Sequence, residues 1–186
     1  MPGRSDIAGD PPGLETCHVL RYFAIRMGKR LRFRLYPKVS IICDIRTHLF
    51  LSGKVSRGPC HDLCEEPTIL RRARRRSQLW HVLLDAGYDA ESTHVLIREV
   101  LEAESIIPSK QGRGTNKWPI GKYRRMMKRG FSRELYGQRW QAESAISRDK
   151  RLLGSSLWAT TWSSQKREAY LRLLTHNIMI LLCIWP

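Results

Sequence analysis

The chain has 186 residues, enough for one domain of ordinary size, and 42% of them are hydrophobic, which suits a buried core and excludes wholesale disorder. Against 17 Asp and Glu stand 33 Lys and Arg, a formal net charge of +16. That excess points to a polyanionic partner, nucleic acid ahead of an anionic membrane surface, and away from an enzyme of small neutral metabolites.

No run of eighteen apolar residues exists, so no transmembrane helix is expected. The polar, acid-bearing start, residues 1–10, does not read as a secretory signal. Five cysteines (Cys17, Cys43, Cys60, Cys64, Cys183) form an odd count without repeating spacing, which argues for a reducing compartment rather than a disulfide framework. Cys60-His61-x2-Cys64 resembles half a zinc site, but no second pair completes it.

In chain order, the first dozen residues are rich in Pro and Gly and read as a flexible lead-in; residues 14–34 are basic without a clean period. Residues 37–44 are β-branched and apolar and end in Asp44, the pattern of a strand buried on both faces. Residues 48–55 alternate and predict a hairpin partner. Residues 65–76 predict a helix with a basic end, Arg71 to Arg76. Residues 81–85 predict a second buried strand ending in Asp85. A turn follows, then a helix over 92–104 capped by Ser92 and a short strand over 105–108. Residues 110–133 hold nine Lys or Arg, no acid and four glycines, and read as a mobile basic loop with helical turns around Tyr123 to Arg129, able to track a phosphate backbone. Its cations include Lys122, Arg124, Arg125, Lys128 and Arg129. The aromatics among them, Trp118, Tyr123 and Phe131, suit packing better than base stacking. A long amphipathic helix over 132–153, ended by Gly154, and a final helix over 163–182 complete the chain. Leu171, Leu174, Ile178, Leu181 and Leu182 are the apolar positions of the last helix, and His176 and Asn177, set in it, are expected to make buried hydrogen bonds. Strands alternating with helices after an initial hairpin predict an α/β fold, a mixed sheet with helices on its faces.

Two acids directly follow buried strands, and strand ends are where ligands and catalytic groups collect in such sheets. Asp44 and Asp85, if adjacent, would suit a hard divalent cation; each is also an ordinary turn former. At about 100° per residue, Tyr136, Arg139, Glu143 and Lys150 fall along one side of the 132–153 helix, beside a stripe of Leu135, Ala142, Ile146 and Leu153 that can pack on the sheet. By periodicity alone, Arg139 and Glu143 form an ordinary i,i+4 pair.

The spacing Tyr136-x2-Arg139-x3-Glu143-x6-Lys150 resembles the signature of DDE transposases from bacterial insertion sequences. Asp85-Ala86-Gly87-Tyr88 matches the motif around that family's second acid, and residues 38–44 with Thr47-His48-Leu49 are similar to its first-acid strand and hairpin. The resemblance implies a ribonuclease-H-like core in which Asp44, Asp85 and Glu143 hold two divalent ions, Mg²⁺ or Mn²⁺, for in-line displacement at phosphorus. Tyr136, Arg139 and Lys150 would contact phosphates near the cut. The implied activity is DNA cleavage and strand transfer at insertion-sequence ends, with transposon ends and target DNA as partners, no membrane, a homodimer on paired ends, and a cytoplasmic, nucleoid-associated location. The implied division is a basic N-terminal extension, 1–34, and a catalytic core, 35–186. Two departures stand out. Only 43 residues precede Asp44, with no helix-turn-helix among them, and the span from Asp85 to Glu143 is too short for an inserted β domain. The alternatives are an inactive remnant that binds DNA nonspecifically and a nuclease on the same core.

Overall fold

The computed structural model describes residues 4–10, 15–16, 37–57, 63, 65–110 and 118–184. Five strands form one sheet: β1 (Arg4–Asp10), β3 (Pro37–Asp44), β4 (Phe50–Arg57), β5 (Gln78–Leu83) and β6 (Glu104–Ile106), in the spatial order β4-β3-β1-β5-β6. β1 is central, antiparallel to β3 and parallel to β5. A two-residue strand, β2 (Glu15–Thr16), pairs with β7 (Ser156–Leu157) outside this sheet. The mixed sheet is as expected.

The central strand is where a flexible lead-in was expected. Residues 4–10 carry only two strong core side chains, Ile7 and Ala8, both fully buried. Charges at either end of so short a strand hide its period. Gly9 follows because the sheet is crowded there: a Cβ at that position would meet the Leu84 side chain at 2.6 Å. The segment expected to be an extension outside the core thus contributes the strand on which the core sheet is built.

Side-chain alternation divides the sheet into two faces. Ile7, Ile42, Val82 and Leu84 face α1 (Glu66–Arg76) and the helix that follows β5. Ala8, Ile41, Cys43 and Leu83 face α5 (Trp140–Leu153), which packs through Ala142, Ala145 and Ile146. The helix after β5 starts at Glu91, one residue before the expected Ser92 cap, with no side-chain cap. It runs as α2 (Glu91–Val95) and then one π-turn, Leu96–Val100.

In the basic stretch 110–133 the helical turns expected around Tyr123 to Arg129 are present: residues 122–129 form α3 (Lys122–Arg129), with Met127 buried. One further expectation is corrected. The long helix over 132–153 is two helices, α4 (Arg133–Gly137) and α5. Gly137 weakens the helix at their junction, while Ser132 caps α4 by accepting the Leu135 N–H.

The final helix, α6 (Trp162–Ile184), turns its leucines outward. Leu171, Leu174, Ile178, Leu181 and Leu182 are exposed, whereas Ala169, Arg172, His176 and Ile180 are buried. The reason is what α6 covers. β4 is the outer strand of the sheet among the described residues, and its backbone needs polar partners. Asn177 supplies both, accepting the Phe50 N–H at 2.8 Å and donating to its carbonyl at 3.0 Å. His176 meets the His48 carbonyl at 3.0 Å and stacks on Phe50. The expected hydrogen bonding of these two residues is met.

Candidate active site

Asp85 follows β5 and begins a single tight turn. Its carboxylate accepts the Ala86 N–H at 2.8 Å, and its carbonyl accepts the Tyr88 N–H at 2.9 Å. Tyr88 is buried beneath the turn, and Asp85 itself is exposed. Leu83 faces α5, so the alternation also sends position 85 toward α5.

On the helical side, the α4–α5 junction folds back through an Arg139 N–H to Tyr136 carbonyl bond of 3.0 Å. This keeps Tyr136, Arg139 and Glu143 on one side despite the break. Arg139 donates to Glu143 at 2.6 Å. Burial pushes the Tyr136 phenol up; Asp85 and Glu143 push it further in the same direction, while Arg139 opposes them. The Tyr136 phenol thus feels the charge of both carboxylates as well as that of Arg139. Lys150, two turns further along α5, lies beside Asp149, Arg172 and the β3 residues Val39 and Ile41.

Asp44 is placed differently. It is 4% exposed, and one of its oxygens, Oδ1, is taken up by its own turn: it accepts the N–H groups of Arg46 at 2.9 Å and Thr47 at 2.8 Å, and the Thr47 hydroxyl at 3.0 Å. It stands opposite Ile7, in the middle of β1, because β3 runs antiparallel to β1. Its parity is that of Ile42, on the face away from α5. Among the described residues no group of three His, Cys, Asp or Glu side chains is arranged to hold a metal ion.

The register identifies a position that the sequence reading passed over. Ala8 pairs with Leu83, so two residues further on, the end of β1 at Asp10 reaches the level of Asp85. Asp10 pairs with Ile41 on its other side. The signal was a third acid directly after an apolar pair, masked by the adjoining Pro11-Pro12-Gly13, which made the segment read as a linker.

The basic residues divide by role. Arg124 forms a forked pair with the fully buried Asp89 carboxylate, Nε to Oδ1 at 2.8 Å and a terminal nitrogen to Oδ2 at 2.7 Å. Lys122, Arg125, Lys128 and Arg129 are exposed along α3. Tyr123 donates its hydroxyl to Glu99, and Lys128 lies over the Trp118 ring. In α1, Arg72 and Arg76 reach the β4 carbonyls of Gly53 and Leu51, and Arg74 reaches the Leu101 carbonyl. Half of that run thus closes backbone ends. The Cys60–Cys64 motif lies outside the described residues.

The transposase DDE domain family matches residues 2–178. The chain belongs to that family. The strand order, with an antiparallel pair on one side of β1 and parallel strands on the other, is ribonuclease-H-like. The DDE domain is similar in fold to the piggyBac transposase in its synaptic complex with hairpin DNA, with a TM-score of 0.58 and 10% identity, covering 97% of this chain and 47% of that one. It thus spans about half the length of that transposase chain. The catalytic core domain of BIV integrase matches with a TM-score of 0.47 and 10% identity, over 93% of this chain and 83% of that one. No curated protein matches the sequence. At family level these are enzymes of DNA phosphoryl transfer that use divalent metal ions. No helix among the described residues is long and apolar enough to cross a membrane.

Proposed function

We propose that the DDE domain cleaves DNA and transfers the freed strand at insertion-sequence ends. The observation that supports this reading is the position of Asp85 directly after β5, at a register that shares the α5 side of the sheet with Leu83, together with the Arg139–Glu143 pair at 2.6 Å on the N-terminal turn of α5. Carboxylate oxygens are the donors a hard divalent cation prefers, so the residues present fit Mg²⁺ or Mn²⁺. Asp85 and Glu143 would hold the ions. We take the third carboxylate to be Asp10, which the register of β1 brings level with Asp85, in preference to Asp44, whose Oδ1 is taken up by its own turn. When bound, the two ions would supply charge neutralisation at the attacking and leaving oxygens of phosphorus.

The chain's own residues do the rest. Arg139 offers a planar fork to a phosphate once Glu143 turns to its other partner, and Lys150 adds a point charge further along α5. Tyr136 is kept protonated by its surroundings and donates a hydrogen bond rather than a negative charge. The exposed α3 cations hold the DNA backbone without reading sequence. A second copy on a paired end and a target duplex complete the proposed assembly.

The test is nicking of supercoiled plasmid with Mg²⁺ or Mn²⁺, wild type beside Glu143→Gln. Nicking by wild type alone supports the reading. Equal metal-dependent nicking by the variant overturns it. A folded wild-type protein that binds DNA and never cuts favours the nonspecific remnant, and cutting without joining favours a nuclease.

A further inference from the structure

The buried carboxylate of Asp89, four residues after Asp85, gathers three elements at once. One tight turn links the two acids: Tyr88 N–H to the Asp85 carbonyl at 2.9 Å and Asp89 N–H to the Ala86 carbonyl at 3.2 Å. Asp89 takes the Arg124 fork from α3 and also accepts the Lys110 N–H at 2.8 Å. Two residues further on, Glu91 caps α3, accepting the Tyr123 N–H at 3.0 Å and the Arg124 N–H at 3.1 Å. Gly121, at φ 116°, is required beside it, because a Cβ there would overlap the Glu91 carboxylate. The basic helix is thus fastened to the Asp85 turn by two carboxylates, one fully buried, and not merely placed near it.

Burial by itself would push Asp89 up, but the hydrogen bonds from Arg124 and Lys110 and the guanidinium charge outweigh it and hold the carboxyl below its usual range. The group is therefore ionised at neutral pH. His94, whose Nε2 lies 3.8 Å from Asp89, is pushed down by burial and stays neutral, so Arg124 is the charge that balances Asp89. A buried ionised carboxylate that lost its partner would leave an uncompensated charge, which ties the helix to the turn strongly.

We infer that Asp89 is a positioning residue: through Arg124 and Lys110 it holds α3 in fixed register with Asp85, so that a DNA backbone lying on Lys122, Arg125, Lys128 and Arg129 presents one particular phosphate to the acids. This rests on the function proposed above. α3 supplies charge and Asp89 supplies register, so the two can be separated. Loss of the clamp leaves the exposed cations in place, and DNA binding persists. What is lost is the constant offset between bound backbone and Asp85.

The experiment uses Asp89→Asn and, as a second variant that keeps a cation beside the carboxylate, Arg124→Lys. Amide hydrogen exchange, plasmid nicking and mapping of cut positions on end-labelled DNA are read for each. For Asp89→Asn the expected result is at least tenfold faster exchange in α3 with β1, β3 and β5 unchanged. KM for DNA should stay within threefold, kcat should fall at least tenfold, and cuts should scatter over neighbouring phosphates. Arg124→Lys should shift every readout the same way by less. Unchanged α3 exchange in both variants overturns the clamp. Faster exchange with the wild-type kcat and cut pattern overturns its role in register. If wild-type protein does not cut at all, the proposed function fails, and the clamp is still decided by exchange.

Discussion

Arg139 donates to Glu143 at 2.6 Å across one turn of α5, and the glutamate remains about half exposed. An exposed i,i+4 pair adds little stability, typically below about 1 kcal/mol. Its meaning is electrostatic: the arginine neutralises the carboxylate that the proposed metal site needs. A divalent ion and Arg139 then compete for Glu143. Arg139→Ala should tighten Mn²⁺ binding several-fold by calorimetric titration while lowering nicking by roughly tenfold or more, because a phosphate contact is removed. Unaltered Mn²⁺ affinity would separate this pair from the metal site.

Asp44 and Asp10 make opposite predictions. Asp44→Ala removes the acceptor of two N–H groups and a hydroxyl in the β3–β4 turn, so stability should fall by about 1–3 kcal/mol. The folded fraction should cut DNA normally. Asp10→Asn should leave the midpoint of denaturation unmoved and abolish metal-dependent nicking. Denaturation and nicking of both variants decide between them, and loss of nicking confined to Asp44→Ala at full folding would restore Asp44 to the site.

These two acids also mark how far the sequence could be read. Period and spacing made the helical partners legible, because Tyr136, Arg139 and Glu143 share one side whether or not the helix breaks at Gly137. Asp85 was legible because four apolar or aromatic positions lead into it. Asp44 follows a strand just as long, but its significance depends on strand direction, and no local pattern reveals that β3 runs antiparallel to the strand beside it. β1 was illegible for a related reason. A central strand flanked on both sides needs few apolar residues of its own, and its neighbours are 30 to 75 positions away in sequence. The apolar stripe of α6 did not reveal which side is buried, because the sheet edge beneath α6 required polar groups.

Glu66 gives the pH prediction. It is 1% exposed, accepts the Thr93 hydroxyl at 2.7 Å, and its second oxygen has no partner among the described residues. Burial pushes its carboxyl up to about 7, the Thr93 hydrogen bond only partly opposing it. The folded state therefore holds a proton that the unfolded chain releases near 4.5, and stability falls as pH rises through that window. The loss is complete just above pH 7 and is of order ~3 kcal/mol. Glu66→Gln should flatten the profile between pH 5 and 8 and leave the variant more stable than wild type at pH 8. Urea denaturation across that range checks it, and parallel profiles for the two proteins would refute the assignment.

Asn177 closes Phe50 from both sides, and the rest of the β4 edge is closed in the same manner: Arg76 and Arg72 reach the carbonyls of Leu51 and Gly53, and the Tyr170 hydroxyl accepts the Val55 N–H at 3.4 Å. An edge strand with free donors and acceptors is a template for another chain. Asn177→Leu keeps helix propensity and approximate volume yet leaves the Phe50 N–H and carbonyl without partners. Each unsatisfied group costs about 1–3 kcal/mol when it stays dry. The variant should lose stability within that range and gain concentration-dependent light scattering well below its unfolding midpoint. Arg75→Ala, a change at an exposed position in the same basic run, should do neither. Equal scattering from both variants would place the association in lost surface charge rather than in the opened edge.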